Sequence, residues 1–338
     1  MKNILFRCDA SRSIGFGHLV RCLALACEFQ KKDCKIAFAV NKNAAAINII
    51  QKENYSVYRK YTKNYKQWLS STIEKFKADV LVLDVRDDLD NLTLTEIKQK
   101  FNIKIVTIDD PTDKRIACDF AFYPPVFQVK TFNWEGFKGK LYAGFDWIIL
   151  RHQFLEYKNK PKKPNKKLKV FVGAGASDPK CITPIIAKAL NDLTVEFEAV
   201  IVIGALFSCK EKLEAVLRKA NYEYNVFVNV DNVAKIMHTC DFAVCSFGTS
   251  AYELAVLGVP AIYVCISKDH SLSASMLEEK GFAINLGEYD KLKQADITKA
   301  ALTLAENADL RYRMSQTAKT FIDGFGALRI VQEVLGER

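Results

Sequence analysis

A histidine stands where a glycine-rich turn should meet a helix. Residues 4–27 read ILFRCDASRSIGFGHLVRCLALAC. An apolar strand (Ile4–Phe6) leads into a polar stretch, then Gly15-Phe16-Gly17-His18, then a helix carrying Leu19, Val20, Cys22, Leu23, Ala24, Ala26 and Cys27. A turn held by Gly15 and Gly17 between a buried strand and a buried helix lets a ligand approach the backbone. His18 at its mouth lies at the positive end of a helix, which favours a neutral imidazole, and this is how a base or a substrate-orienting group would be placed. The spacing is not Gly-x-Gly-x-x-Gly, and the second strand, KIAFAV, ends in Asn41-Lys42 rather than an acidic residue. Both departures argue against a dinucleotide-dependent oxidoreductase. A packing turn with a capping histidine is the alternative.

Two further turns have the composition of ligand sites. Val170–Asp178 (VFVGAGASD) is a strand followed by Gly173, Gly175 and Ser177 ahead of a helix, so its amides could hold a phosphate. Ser246–Pro260 (SFGTSAYELAVLGVP) follows the strand DFAVC. Ser246 ends the strand, Gly248 permits a tight turn, and Thr249 and Ser250 offer hydroxyls and amides at a helix start. Glu253 falls one turn into that helix, placed to accept two ribose hydroxyls or, alternatively, to support the helix dipole. Asp269-His270 follows the strand AIYVCI, and Asp84-Val85-Arg86-Asp87 and Asp109-Asp110-Pro111 end two strands of the first half. Strand ends of this kind line the crevice of an open α/β sheet. Arg86 is a candidate anion ligand there, while Asp109-Asp110 reads equally as a turn and helix cap. His152 and His238 lack such a context and read as structural or surface histidines.

The elements that must position these residues alternate along the chain. Strands are expected at Ile4–Cys8, Lys35–Val40, Val80–Asp84, Lys104–Ile108 and Phe120–Phe122, then at Val170–Val172, Ala199–Ile203, Tyr224–Phe227, Phe242–Cys245, Ala261–Cys265 and Ala283–Leu286. Helical patterns fill the intervals, and two helices joined near Gly324-Phe325-Gly326 end the chain. The strands are continuous apolar runs, as parallel strands covered on both faces should be. At 338 residues the chain suits two domains. These are residues 1–157, a Lys/Pro-rich linker at 158–169, and residues 170–338, each an α/β doubly wound sheet.

Composition excludes several classes. The longest apolar run, near Ala199–Phe207, is too short to span a bilayer. Arg7 and Asp9 interrupt any signal-peptide core, so a cytoplasmic protein is expected. The net charge is +10, but seven lysines fall within Lys158–Lys169, the composition of a solvated linker, with a weak membrane-surface contact as the secondary reading. No nucleic-acid-binding motif is visible. The ten cysteines form no C-x-x-C pair and sit mostly in apolar segments, so reduced, buried thiols are expected and no zinc site.

With these residues in hand a family resemblance is visible. Arg7-Cys8-Asp9-Ala10-Ser11, Gly15-Phe16-Gly17-His18 and Arg21-Cys22-Leu23-Ala24-Leu25-Ala26 closely resemble the opening of the UDP-sugar hydrolases of pseudaminic acid biosynthesis, a family that includes a spore-coat polysaccharide protein. Thr107-Ile108-Asp109-Asp110, Gly144–Arg151 (GFDWIILR), Gly173–Asp178, Ser246–Pro260 and Asp323–Arg329 also resemble its segments, so the likeness runs over nearly the whole chain. The Ser246–Pro260 motif is shared with type B glycosyltransferases. The resemblance implies two Rossmann-like domains facing a cleft that holds a UDP-sugar, and cleavage at the anomeric carbon by water, with no metal and no cofactor. It implies that His18 positions or activates the water, with Arg7, Asp9, Gly15, Gly17, Arg21, Arg86, Asp269 and His270 on the sugar side. Gly173, Gly175, Ser177, Ser246, Gly248, Thr249, Ser250 and Glu253 would hold the nucleotide. This chain has Arg86 where the family usually has tyrosine, and Asp269-His270 where it usually has Asn-Gln. Two other readings stay open: a transferase using a UDP-sugar donor for a surface polysaccharide, and a non-enzymatic nucleotide-sugar-binding protein.

Overall fold

The computed structural model describes residues 1–10 and 16–337. The chain divides into two compact units, Met1–Arg151 with Phe325–Arg338, and His152–Gly324. The first unit is built on a seven-stranded parallel sheet. Its strands are β1 (Asn3–Cys8), β2 (Lys35–Val40), β3 (Ser56–Arg59), β4 (Val80–Asp84), β5 (Lys104–Ile108), β6 (Phe120–Tyr123) and β7 (Lys140–Ala143), in the order β3-β2-β1-β4-β5-β6-β7. The helices between them are α1 (Gly17–Gln30), α2 (Ala44–Lys52), α3 (Tyr65–Phe76) and α4 (Asn91–Phe101). Phe6 stacks on Phe38 at 5.0 Å between ring centroids and meets Phe29 of α1 edge-on. On the opposite face Leu5, Leu81 and Leu83 pack with Trp68 of α3 and Ile97 of α4, giving the two-sided burial that the continuous apolar strands require. Asn43, Asn64 and Asp90 cap α2, α3 and α4 with their side chains, which fixes where each helix leaves its strand.

The second unit carries a six-stranded parallel sheet. It comprises α5 (His152–Lys158), β8 (Leu168–Gly173), α6 (Ile182–Leu190), β9 (Phe197–Ile203), α7 (Lys210–Leu217), β10 (Glu223–Val228), α8 (Val233–Thr239), β11 (Phe242–Ser246) and α9 (Thr249–Val256). It continues through β12 (Ala261–Cys265), α10 (Lys268–Glu278), β13 (Ala283–Glu288), α11 (Gln294–Glu306) and α12 (Ala308–Phe321). The order is β10-β9-β8-β11-β12-β13. Both sheets therefore reverse direction beside their first strand, between β1 and β4 and between β8 and β11. The carboxyl ends of those strands are where such sheets bind ligands.

The structure draws the domain division differently from the sequence in three places, the first being that residues 152–157, expected in the first domain, fall in the second unit. The last helix, α13 (Gly326–Leu335), belongs to the first unit, where Ala327, Ile330, Val331 and Val334 join the core around Phe6 and α1. A side chain on Gly326 would strike the Ile148 carbonyl at 2.2 Å, so glycine lets α13 start against that backbone. The lysine-rich segment, expected as a free linker, is tied to the second unit. Lys162 pairs with Asp241 at 3.1 Å, Lys167 with Glu223 at 2.8 Å and Lys169 with Glu198 at 3.1 Å. Three of the seven lysines read as a solvated charge run are thus paired with carboxylates of their own unit. The short edge strands β3 and β7 and the helix α5 were not expected. Each is brief and half-exposed, so its apolar pattern is too short to read.

Candidate active site

The first unit gathers its charged residues at the switch point. Asp84 ends β4 and lies in register with Cys8, the last residue of β1. That register sets Asp84 beneath the start of α1. His18 Nδ1 lies 2.6 Å from Asp84 Oδ1, and Arg21, one turn on, grips the same carboxylate through Nε and Nη2, both at 2.7 Å. Arg21 Nη1 then reaches Asp109 after β5 at 3.1 Å. Arg86 donates to the Asp109 carbonyl and stands 3.7 Å from its carboxylate. The Asp84 side chain is fully buried while that of His18 is 19% exposed, so the imidazole is the member that meets solvent. Burial alone would raise the Asp84 pKa, but the Arg21 charge and His18 outweigh it and hold the carboxyl well below its usual range. Burial likewise opposes the Arg21 charge, and Asp84 and Asp109 more than restore it.

This arrangement fixes a tautomer. An ionised carboxylate only accepts, so the proton between His18 and Asp84 sits on Nδ1, and in the neutral ring Nε2 keeps its lone pair. A partly exposed histidine oriented by a buried carboxylate, with no partner on its other nitrogen among the described residues, has the geometry of a general base. Gly17 has open space where a side chain would project. Gly15 lies outside the described residues.

Beneath this layer a second charged network is closed off, and it corrects the expectation for Arg7 and Asp9 as sugar ligands. The Arg7 side chain is fully buried and donates to Asp9 Oδ2 at 2.6 Å, to Asp87 Oδ2 at 3.2 Å, to the Cys8 carbonyl and to the Tyr65 hydroxyl. Asp9 accepts in turn from the backbone and side chain of Asn41 at 2.8 and 2.7 Å. Lys114, also fully buried, bridges Asp87 at 3.3 Å and Asp110 at 3.4 Å. With their polar atoms spent on one another, these residues clamp the ends of β1, β2, β4 and β5 in place.

The second unit is built differently at the same topological position. Gly173 ends β8, and its Cβ position is hemmed by the Val202 carbonyl at 3.1 Å and the Phe171 ring, so a small residue is required. Gly175 has φ +77 and open space before it, and Ser177 is half-exposed. Asp178 is buried and accepts from the amides of Ile182 and Thr183, both at 2.8 Å, which occupies those two donors of α6. At the neighbouring turn Ser246 and Phe247 are buried, Gly248 and Ser250 are half-exposed and Thr249 is exposed, with open space in front of Gly248. Glu253 is 6% exposed on α9. Asp269 is exposed in the first turn of α10, and His270 packs edge-on to Phe247 at 6.0 Å. Burial lowers the His270 pKa, with Asp269 and the Phe247 carbonyl working against that shift. Among the described residues its Nδ1 is buried with no hydrogen-bond partner. His152 pairs only with Glu156 and His238 packs beside Tyr157, as expected of structural histidines.

Sequence reasoning missed Asp84 as the partner of His18 and Asp109 as the link between Arg21 and Arg86. The available signal was three carboxylate-bearing strand ends. Among the described residues no group of three or more histidine, cysteine or acidic side chains stands close enough to hold a metal. The expectation of reduced cysteines is corrected at one place, where Cys181 and Cys209 form a disulfide; the other eight are free thiols.

Comparison with known proteins agrees with the architecture. The lipid-A-disaccharide synthetase family, LpxB, matches residues 146–272. The chain is similar to the spore coat polysaccharide biosynthesis protein SpsG of Bacillus subtilis (24% identical over 326 residues, covering 95% of this chain and 94% of that protein). It is also similar to the UDP-2,4-diacetamido-2,4,6-trideoxy-beta-L-altropyranose hydrolase of Campylobacter jejuni, 26% identical over 289 residues, covering 83% of this chain and 98% of that one. Among solved structures, Acinetobacter baumannii MurG superposes with a TM-score of 0.73 at 15% identity, covering 99% of this chain and 100% of that one. The resemblance read from the sequence is borne out, as are the two Rossmann-like domains of type B glycosyltransferase kind.

Proposed function

We propose that the protein is a nucleotide-sugar hydrolase that releases UDP from a UDP-activated diacetamido-trideoxy sugar or a related amino sugar, on a route to a nonulosonic acid or surface glycan. The observation that carries the reading is the His18–Asp84 pair, a partly exposed imidazole held through Nδ1 by a buried carboxylate, in a chain similar to a hydrolase of that substrate class. A water held by His18 Nε2 gives its proton to that nitrogen as its oxygen bonds to the anomeric carbon. The bond from that carbon to the diphosphate breaks, and its electron pair leaves on UDP. The imidazolium that forms is stabilised by Asp84, the role of the orienting carboxylate in hydrolytic triads. Arg21 and Arg86 of the first unit are assigned to the sugar, and so are Asp269 and His270 of the second. The turns at Gly173–Ser177 and Ser246–Ser250 offer amides and hydroxyls to the diphosphate, and Glu253 is assigned to the ribose. The scheme draws its base from the protein, so activity that survives a chelator is expected.

The test is UDP release from UDP-2,4-diacetamido-2,4,6-trideoxyaltrose without acceptor, for wild type and His18→Ala side by side. Release by wild type and its loss in the variant support the reading. Equal release by both removes His18 from the mechanism. The match of residues 146–272 to a disaccharide synthetase family favours a transferase as the second reading. In that case UDP release waits for an acceptor hydroxyl, which His18 would deprotonate in place of water.

A further inference from the structure

We infer that Cys181 and Cys209 form a thiol–disulfide exchange site that clamps the turn following β8 and sets how tightly that turn holds an anionic ligand. The inference rests on the reading of this turn as part of the nucleotide site. β8 and β9 are parallel neighbours, so their exits lie side by side. The turn after β8 rests on the exit of β9, where a side chain on Gly204 would meet the Ala176 carbonyl at 2.3 Å. The disulfide fastens the same two segments a second time. Cys181 immediately precedes α6, with φ +53, and Cys209 immediately precedes α7. Their Cα atoms are 5.8 Å apart, within the span of disulfides. Between the glycines of the turn and the bridge stands Asp178, whose carboxylate fastens the turn to the first amides of α6.

The surroundings suit exchange rather than permanent closure. Both sulfurs lie at helix starts, and Lys212 Nζ is 4.0 Å from Cys181 Sγ. The Lys212 charge beside Cys181 and the helix start at Cys209 stabilise thiolates, which makes each sulfur a better leaving group and raises the fraction present as the nucleophile. Cys181 is half-exposed while Cys209 is buried, so an incoming thiolate meets Cys181 first. Oxidation by a small-molecule disulfide balances as two thiols plus glutathione disulfide giving the bridge and two molecules of glutathione. Reduction runs the same steps in reverse. A turn already fastened has less freedom to lose when it closes on a ligand, so the oxidised form binds more tightly.

The experiment uses the full chain equilibrated with glutathione disulfide or with glutathione. Bridge formation is read by mass after alkylation, loop order by hydrogen exchange of residues 174–183, and affinity by UDP titration. Expected are one bridge that maps to Cys181 and Cys209, slower exchange across 174–183 in the oxidised form, and a Kd for UDP about fivefold lower, a modest coupling between two sites. By reciprocity UDP then makes the bridge harder to reduce by the same factor, about 20 mV for a two-electron couple. The Cys181→Ser/Cys209→Ser double variant should bind UDP like the reduced wild type under both conditions. Failure of the bridge to form in excess glutathione disulfide overturns the inference, and so does a bridge that alters neither exchange nor affinity. If UDP binds neither form, the nucleotide reading falls, and the clamp is then decided by the exchange data alone.

Discussion

The two sheets reach the same switch point with opposite chemistry. At β1, β4 and β5 the strand exits present Arg21, Asp84, Arg86 and Asp109, whose charges alternate through ion pairs, with His18 hydrogen-bonded to Asp84. At β8 and β11 the corresponding turns present glycines, serines and a threonine, with Glu253 buried behind them. A sheet end filled with paired charges can fix a tautomer and move a proton. One stripped to backbone can follow the outline of a diphosphate and answer its charge with amide dipoles. A shared strand order around the switch point therefore says where chemistry sits and nothing about which chemistry it is. Only the side chains at the strand exits decide that.

The sharpest way to break the comparison is at the charged end. His18→Ala should lower kcat for UDP release by about 10²–10⁴-fold, the usual contribution of a positioned base, while UDP affinity stays within about twofold. A matching loss of affinity would show that the two ends are not separable. Asp84→Asn comes next. An amide can donate to Nδ1, which turns the ring to the other tautomer, so kcat should fall by about 10²-fold or more. It also takes one carboxylate from half-buried Arg21, which keeps Asp109 at 3.1 Å, so the cost in stability should be about 1.5–3 kcal/mol, measurable by urea unfolding. The pH dependence follows from the sign of the shift. Because the folded-state pKa of Asp84 is depressed, its contribution to stability is fully present above the unfolded value of about 4 and drains away as pH falls toward the folded one. Melting temperature between about pH 4 and 2 should drop more steeply in wild type than in Asp84→Asn. Parallel curves would remove Asp84 from the acid transition.

How much of this was legible in the sequence follows the same division. The inner strands could be read because both faces are covered and every residue had to be apolar; KIAFAV and VLVLD admit no other reading. His18 could be read because glycine and histidine at a strand-to-helix turn is a local signal. Asp84 could not be paired with it, since that contact spans 66 residues and depends on β4 lying beside β1, which only the sheet order decides. Arg7 misled because an arginine beside a strand end looks the same whether it awaits a ligand or is already spent on Asp9, Asp87 and Tyr65. The disulfide had no motif to announce it, as its cysteines are 28 residues apart and meet only because β8 and β9 are neighbours. A terminal helix after Gly324-Phe325-Gly326 was expected, but nothing local says that its face of Ala327, Ile330, Val331 and Val334 covers the first unit.

At the uncharged end the expected losses are in binding. Glu253→Gln removes a carboxylate acceptor from a site where hydrogen bonds to charge are each worth about 1.5–3 kcal/mol, so KM for the UDP-sugar should rise about 10–100-fold with kcat nearly unchanged. A fall in kcat with constant KM would move Glu253 out of the ribose site. Gly248→Ala probes the turn itself. Its backbone is extended at φ 169 and nothing lies within 4 Å of the added methyl, so folding should be unaffected. The methyl would stand where a phosphate needs to approach, and KM should rise by roughly three- to tenfold. A variant that binds UDP as wild type does would show that the diphosphate lies elsewhere.

The smallest effect belongs to Asp269, which is exposed and sits in the first turn of α10. A carboxylate there accepts hydrogen bonds but donates none, so toward a sugar it favours a hydroxyl or ammonium over an acetamido carbonyl. Asp269→Asn restores a donor at the same volume. Because the group is exposed and screened, the expected change is a shift of about two- to fivefold in relative kcat/KM between an N-acetylated and a non-acetylated UDP-sugar, toward the acetylated one. Unchanged selectivity would place Asp269 off the sugar, leaving its charge to the N-terminal end of α10, where a carboxylate is favourable on its own account.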